Sequence, residues 1–361
     1  MKTITAALAI LVAAGMAGNA QTGTTDIVGY VTQPLAAGSD TIIAPQVLRP
    51  TEYTGAVGGV TTSGTSATLE MTDASFTPNG FQYVANTQPK TYFALVTSGN
   101  LTGTTFRVTS NTASTLVVAL DGLTVISADI TQVEIRPFWT LNTLFPSSSS
   151  GVSFTPSTGV NSNSRRTQLV LPNFVSTGVN RAPVAQYFYN PAVSDWVTSN
   201  ATGVKAGDTI IEPGQYIIHR NTGGTPEALS LTMLGGVLVK PASIYLATLT
   251  GMTKNDNPIA LPRATDYQLA DLGFTDANFV QSTAKNAVGR KDEVYVYATA
   301  GSGVNRAPTK IYFKYLNAWY DTSSSGAPVD PTIPSGSALI IRKAGSDGND
   351  KVLVNVSNVT L

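Results

Sequence analysis

The chain has 361 residues, no cysteine, and 22 basic side chains (Lys+Arg) against 22 acidic ones (Asp+Glu). That length allows two or three domains with sizeable cores, while the missing thiol excludes disulfides, thiolate nucleophiles and cysteine metal sites. Balanced charge, with only 12% of residues charged, gives no electrostatic pull toward nucleic acid or anionic lipid and little repulsion between copies.

Met1-Lys2, the apolar run 4–18 and the small residues at Gly18-Asn19-Ala20 read as a secretory signal peptide cleaved after Ala20. No later segment reaches the roughly 18 uninterrupted apolar residues of a spanning helix. The expected location is therefore exported: extracellular, cell surface or periplasmic. Beyond it, short runs rich in Val, Ile, Thr, Tyr and Phe alternate with Gly, Asn, Asp, Ser and Pro clusters, which predicts an all-β protein. The clearest runs are 41–44, 92–97, 105–108, 115–120, 168–171, 184–189, 209–211, 216–219, 293–297, 309–315, 338–342 and 351–356. The best helix candidate is 265–272, with Thr265 as N-cap and Gly273 as its stop. Ser147–Ser150 reads as a loop.

The chain also repeats itself. Residues 154–183 align with 279–308 without a gap, with 11 identities in 30 positions that include GVNRAP at Gly178–Pro183 and Gly303–Pro308. A fixed offset signals a duplicated structural unit. Each copy continues into an aromatic strand (VAQYFYN, TKIYFKY), a tryptophan (Trp196, Trp319) and a Gly-led strand with an arginine (Gly214–Arg220, Gly336–Arg342). Leu141–Leu144 matches Leu269–Leu272 in spacing. More weakly, Val28–Pro34 followed by Asp40–Pro50 matches Gly235–Pro241 followed by Asp256–Arg263. We therefore expect two tandem sandwich- or barrel-like β units from an internal duplication, 21–233 and 234–361. The first carries an insert at about 82–137, whose five short strands (FQYVA, TYFALVTSG, GTTFRVTSN, STLVVAL, DITQVEIRP) close a small barrel or extend the sheet.

Few residues point to chemistry. In GVNRAP, Gly and Asn suit positive φ and Pro fixes the following strand, so the string serves a turn. Arg181 and Arg306 are candidate ligand-binding residues, one per unit. The alternative for them, and for Arg165 and Arg290, is a bond to loop carbonyls or a seat over an aromatic ring. Tyr187 and Trp196, with Tyr312 and Trp319, are candidate sugar platforms if they are exposed. Tyr187 and Tyr189 share a strand face, and Phe188 and Phe313 point the other way, toward the core. The only histidine, His219, has Ile341 as its counterpart, which argues for a packed side chain. Ser282-Thr283-Ala284-Lys285 fits S-x-x-K but lacks the companion strings, and Asp321-Thr322-Ser323 lacks the glycine of an aspartic-protease loop. Acidic turns at Asn255-Asp256-Asn257 and Asp347–Asp350 carry calcium-type donors without EF-hand spacing, and one histidine does not make a zinc site. No cofactor is implied.

The strings TTDIVGYV, APQVLRPTEYTGAV, TYFALVTSGNLTGTTFRVTSN and EIRPFWTLNTLFP resemble a family of secreted proteins of unknown function found in multiple copies in environmental Gram-negative bacteria. The resemblance covers most of the mature chain and implies export and a whole-chain fold, but no activity. Some members carry C-terminal sorting tails, whereas this chain ends in VLVNVSNVTL. The expectation is a non-enzymatic β protein of the cell surface or extracellular matrix, with an adhesive, assembly or structural role. Its partners would be copies of itself, the cell envelope or a polysaccharide. The alternatives are a carbohydrate-binding protein with one aromatic site per unit and, less favoured, a polysaccharide-degrading enzyme with paired carboxylates.

Overall fold

The computed structural model describes residues 26–85, 90–147, 153–251, 253–299, 301–323, 326–346 and 351–356. The expected signal peptide, the serine stretch after Ser147 and the acidic turn 347–350 fall outside these residues. The protein is almost entirely β.

The first unit opens with β1 (Val28–Leu35) and β2 (Ser39–Ile43). The chain then leaves for β3 (Tyr53–Ser63), β4 (Ser66–Met71), β5 (Tyr92–Ser98), β6 (Thr105–Asn111), β7 (Thr115–Ala119) and β8 (Gln132–Pro137). These six strands form a closed barrel in the order β3-β4-β7-β6-β5-β8. Closure removes sheet edges, and alternate residues such as Leu69, Phe106, Leu116, Val118 and Ile135 fill its core. Of the two arrangements open for the insert, a small barrel or an extended sheet, the barrel is present, but it starts at Tyr53, not near 82. Glycines 55, 58 and 59 dilute the apolar alternation of β3, and a register shift falls between Val57 and Gly59. The segment FQYVA is not a strand. It is a turn in which Phe81 packs edge-on to Phe76 and Tyr92, with centroids 5.1 and 5.0 Å away.

After the barrel the first unit resumes with β9 (Trp139–Thr140), α1 (Leu141–Leu144), β10 (Thr167–Leu171), β11 (Ala185–Asn190), β12 (Asp195–Thr198), β13 (Ile210–Ile211), β14 (Ile217–Asn221) and β15 (Leu229–Gly236). The second unit holds β16 (Ala242–Ala247), β17 (Asn255–Ala260), β18 (Tyr267–Gln268), a 3-10 turn (Leu269–Leu272), β19 (Glu293–Tyr297), β20 (Lys310–Tyr315), β21 (Ala318–Asp321), β22 (Thr332–Ile333), β23 (Ala338–Lys343) and β24 (Lys351–Val356).

The units correspond strand for strand. Their five-stranded sheets run β2-β14-β10-β11-β12 and β17-β23-β19-β20-β21. Each is faced by a two-stranded ribbon, β1–β15 or β16–β24, and each has a short bridge, β9–β13 or β18–β22. Ribbon and sheet together enclose one core per unit. Leu35, Leu231 and Met233 meet Leu169, Tyr187 and Trp196 in the first; Leu246, Val354 and Val356 meet Val294, Tyr312 and Trp319 in the second. The barrel occupies the place of the short connection 261–266 of the second unit.

Three details depart from the sequence reading. β15 pairs with β1 along its whole length, so the first unit runs to Gly236. Gly235–Pro241 is therefore not the partner of Val28–Pro34; the strand in that position is β16. The helix expected over 265–272 shrinks to the 3-10 turn, capped by Gln268 and Asp271 rather than Thr265, and stopped by Gly273 at φ 66° as expected.

The barrel also joins the second unit. Phe93 and Leu95 on its outer face enter that unit's core, and Ser243 donates its N–H to the Gly103 carbonyl (3.1 Å). A Cβ at Gly103 would come within 2.6 Å of the Pro241 carbonyl oxygen, so only glycine permits this approach. No helix among the described residues is long and apolar enough to cross a membrane.

Candidate functional site

β2 and β17 are the edge strands of their sheets, and an edge exposes unpaired N–H and C=O groups. Each edge is covered by the GVNRAP loop of the other unit. On one side, Gly178 donates its N–H to Asn255 Oδ1 (2.8 Å) and accepts from the Asp256 N–H (3.0 Å), while the Asn180 N–H donates to Asp256 Oδ2 (2.8 Å). On the other, Gly303 donates to Ser39 Oγ (2.9 Å) and accepts from the Asp40 N–H (2.9 Å), while the Asn305 N–H donates to Asp40 Oδ2 (2.8 Å). The contact is reciprocal, as in an isologous interface.

The backbone explains the string. Gly178 and Gly303 sit at φ 102° and 91°, and Asn180 and Asn305 at 52° and 51°. These left-handed conformations favour Gly and Asn, and they aim the Gly and Asn N–H groups at consecutive side chains of the facing strand, the second of them the carboxylate. Each carboxylate is also held bidentately. Arg342 reaches Asp256 at 2.6 and 3.0 Å and extends to Asn180 Oδ1 (3.1 Å). Arg220 reaches Asp40 at 2.7 and 2.8 Å and extends to Asn305 Oδ1 (2.7 Å). The candidate calcium donor Asp256 is therefore a strand residue already engaged by an arginine.

Between the two clasps lies a cleft of about 450 Å³. Ile42, Ile218, Pro258 and Ile340 supply apolar lining. Arg181 and Arg306 both line it, together with Tyr216 and Tyr297. Arg181 Nη2 donates to the Asp256 carbonyl (2.6 Å), and Arg306 Nη2 to the Ala298 carbonyl of its own unit (2.5 Å). Burial lowers the pKa of both guanidinium groups and raises those of both tyrosine hydroxyls. Thus the two arginines meet in one shared cleft rather than forming one site per unit.

The aromatic candidates are elsewhere. Tyr187, Trp196, Tyr312 and Trp319 are 6%, 0%, 8% and 8% exposed. They pack in the unit cores, where Trp196 lies 4.7 Å from Phe154 and Trp319 5.2 Å from Phe279. None presents a face to a sugar. The strand faces are the reverse of those expected. Tyr187 and Tyr189 look into the core, whereas Phe188 and Phe313 lie under Arg165 and Arg290, at 4.6 and 5.8 Å. Those two arginines do take seats over rings.

Ser282 and Lys285 do not pair. Ser282 Oγ accepts from the Lys291 N–H, and Lys285 lies 4.2 Å over the Tyr320 ring and donates to the Gly326 carbonyl. Asp321 takes Lys310 and Ser323 as partners. Among the described residues no group of three or more His, Cys, Asp or Glu could hold a metal ion. Comparison of the chain with protein-family profiles, characterised proteins and solved structures finds no match.

His219 is fully buried and bonds the Ser153 carbonyl through Nε2 (2.9 Å). Burial pushes its pKa down from 6.5 to about 4, so the folded ring stays neutral where the unfolded ring protonates. Stability is then complete above pH 6.5 and falls as pH drops toward 4, by roughly 3 kcal/mol in all. His219→Ile, copying Ile341, should remove this component. Denaturant midpoints measured from pH 7 to pH 4 should fall less steeply for the variant; parallel curves would refute it.

The sequence reading missed Asp40, Asp256, Arg220, Arg342, Asn180 and Asn305 as a set. The signal was present, because each occupies a matched position in both copies. What a linear alignment does not show is that each aspartate, paired with the arginine of its own unit, is also bonded by the loop asparagine of the other unit.

Proposed function

We propose that this is an exported, non-enzymatic β protein of the cell surface or extracellular matrix that retains a ligand or partner through the cleft between its units. The observation that carries this reading is the state of the cleft's carboxylates. Asp40 and Asp256 each accept a bidentate arginine and a backbone N–H. Carboxylates so engaged are committed to the seam, whereas an apolar lining with a few fixed polar groups suits retention. We read the strand-for-strand correspondence as the trace of an internal duplication, with the barrel a later insertion.

The test uses the protein lacking residues 1–20, incubated with envelope fractions and with a panel of polysaccharides. Retention on at least one of them, without release of reducing ends, is expected. Reducing-end release, or no retention anywhere, would overturn the proposal.

A second reading, self-assembly, is favoured by the β1–β15 ribbon. There Tyr30 and Leu234 stand directly opposite each other, both exposed, beside exposed Ile27 and Val28. Light scattering at rising concentration should show association that Tyr30→Glu reduces. A monomer at all concentrations removes this reading.

A further inference from the structure

Charge accounting in the cleft leaves a remainder. Asp40 and Arg220 cancel, as do Asp256 and Arg342. Arg181 and Arg306 are left, and among the described residues neither has a carboxylate within ion-pairing distance. Both are partly withdrawn from water. Charges removed from water are normally paired, and two like charges sharing one cleft repel each other unless an anion sits between them.

We propose that the cleft is a binding site for a carboxylate-bearing ligand with an apolar body, held by Arg181 and Arg306 over Ile42, Ile218, Pro258 and Ile340. This rests on the reading of the protein as one that retains a ligand. The guanidinium fork matches a carboxylate in plane and spacing. In its described bonds each arginine uses one donor, on Nη2, of the five that a guanidinium carries. The volume lies within the range of small-molecule sites, about 300–1,000 Å³. Tyr216 and Tyr297 break the two-fold relation of the lining, because their counterparts are Ala338 and Pro172. The cleft therefore has two unlike ends and holds an asymmetric ligand in one orientation.

Such a carboxylate comes from one of two sources, a free organic acid or a uronate unit of an acidic polysaccharide. Calorimetric titration at low salt with adipate and with a galacturonate trisaccharide separates them, with adipamide and a neutral galactose trisaccharide as controls. Binding of one acid but not its neutral control supports the site and identifies the source. Arg306 bonds only its own unit, so Arg306→Gln leaves the clasps intact. It should weaken binding by about tenfold or more, the worth of one or two charge-assisted hydrogen bonds, with an unchanged unfolding midpoint. Arg306→Lys, which keeps the charge without the fork, should fall between and serves if the Gln variant does not fold. No binding of either acid, or equal binding by Arg306→Gln, would overturn the site. Retention on envelope or polysaccharide that survives Arg306→Gln would leave the broader reading standing and remove this one.

Discussion

Asp256→Ala is expected to destabilise the protein by about 3 kcal/mol. The side chain is buried and takes three donors: Arg342 Nε, Arg342 Nη2 and the Asn180 N–H. Its removal strands a partly buried guanidinium and orphans the loop N–H. Each is costly, because desolvation has occurred and the compensating bond is gone. Asp40→Ala should cost a similar amount through Arg220 and Asn305. The double variant is more informative, since it removes the carboxylate bonds on both flanks of the seam and leaves the bonds made by Gly178, Gly303 and the strand backbones there. The seam keeps those bonds, a small apolar cluster with Ile42, Ala44, Tyr216, Ala260 and Ala338 at its centre, and the contact of Phe93 and Leu95 with the second core. The urea transition should then separate into two steps, which tryptophan emission can follow because Trp196 and Trp319 report the two cores. A single unshifted transition, or losses below about 0.5 kcal/mol, would show that the clasps hold nothing.

Asp292→Thr should cost more, about 4 kcal/mol, and a second substitution should restore most of it. Asp292 and Lys343 form a fully buried ion pair. Asp292 also accepts from the Val280 N–H (2.8 Å) and the Ala344 N–H (2.6 Å), and Lys343 donates to the Asn278 carbonyl (2.7 Å). In the first unit the matched pair is Thr167 opposite Asn221, and Thr167 Oγ1 accepts from the Thr155 N–H (2.8 Å), as Asp292 accepts from Val280. The fold therefore admits an uncharged solution at the same place. Asp292→Thr alone leaves a buried ammonium without its partner. Adding Lys343→Asn installs the first unit's arrangement and should return stability to within about 1 kcal/mol of the parent. Denaturant unfolding of the two singles and the double completes the cycle. A double variant as unstable as the sum of the singles would mean that the two units do not share this local geometry.

How far the sequence carries depends on the kind of information each residue holds. Strands with dense β-branched and aromatic runs, such as 92–97 and 293–297, are legible because their pattern is local. β3 is not, because its glycines trade apolar alternation for curvature. The buried tryptophans were legible as repeated residues but not as core residues, since alternation along a strand does not say which face a ribbon will cover. β1 and β15, which provide that cover, are about 200 residues apart in the chain. The arginines of GVNRAP were found, but Asp256 was read as a calcium-type donor and Asp40 only as a matched position, and neither as the partner of a loop. An acidic residue at a strand start reads as solvent-facing until the loop that binds it is brought in from the other copy.

Because each unit carries both a GVNRAP peg and an aspartate socket, the grip does not depend on the two halves belonging to one molecule. Two chains that trade halves across the segment 237–241 would recover every bond of both clasps. An exchange in which two chains take each other's halves closes as a discrete swapped dimer, whereas a half passed on from chain to chain extends into an open filament.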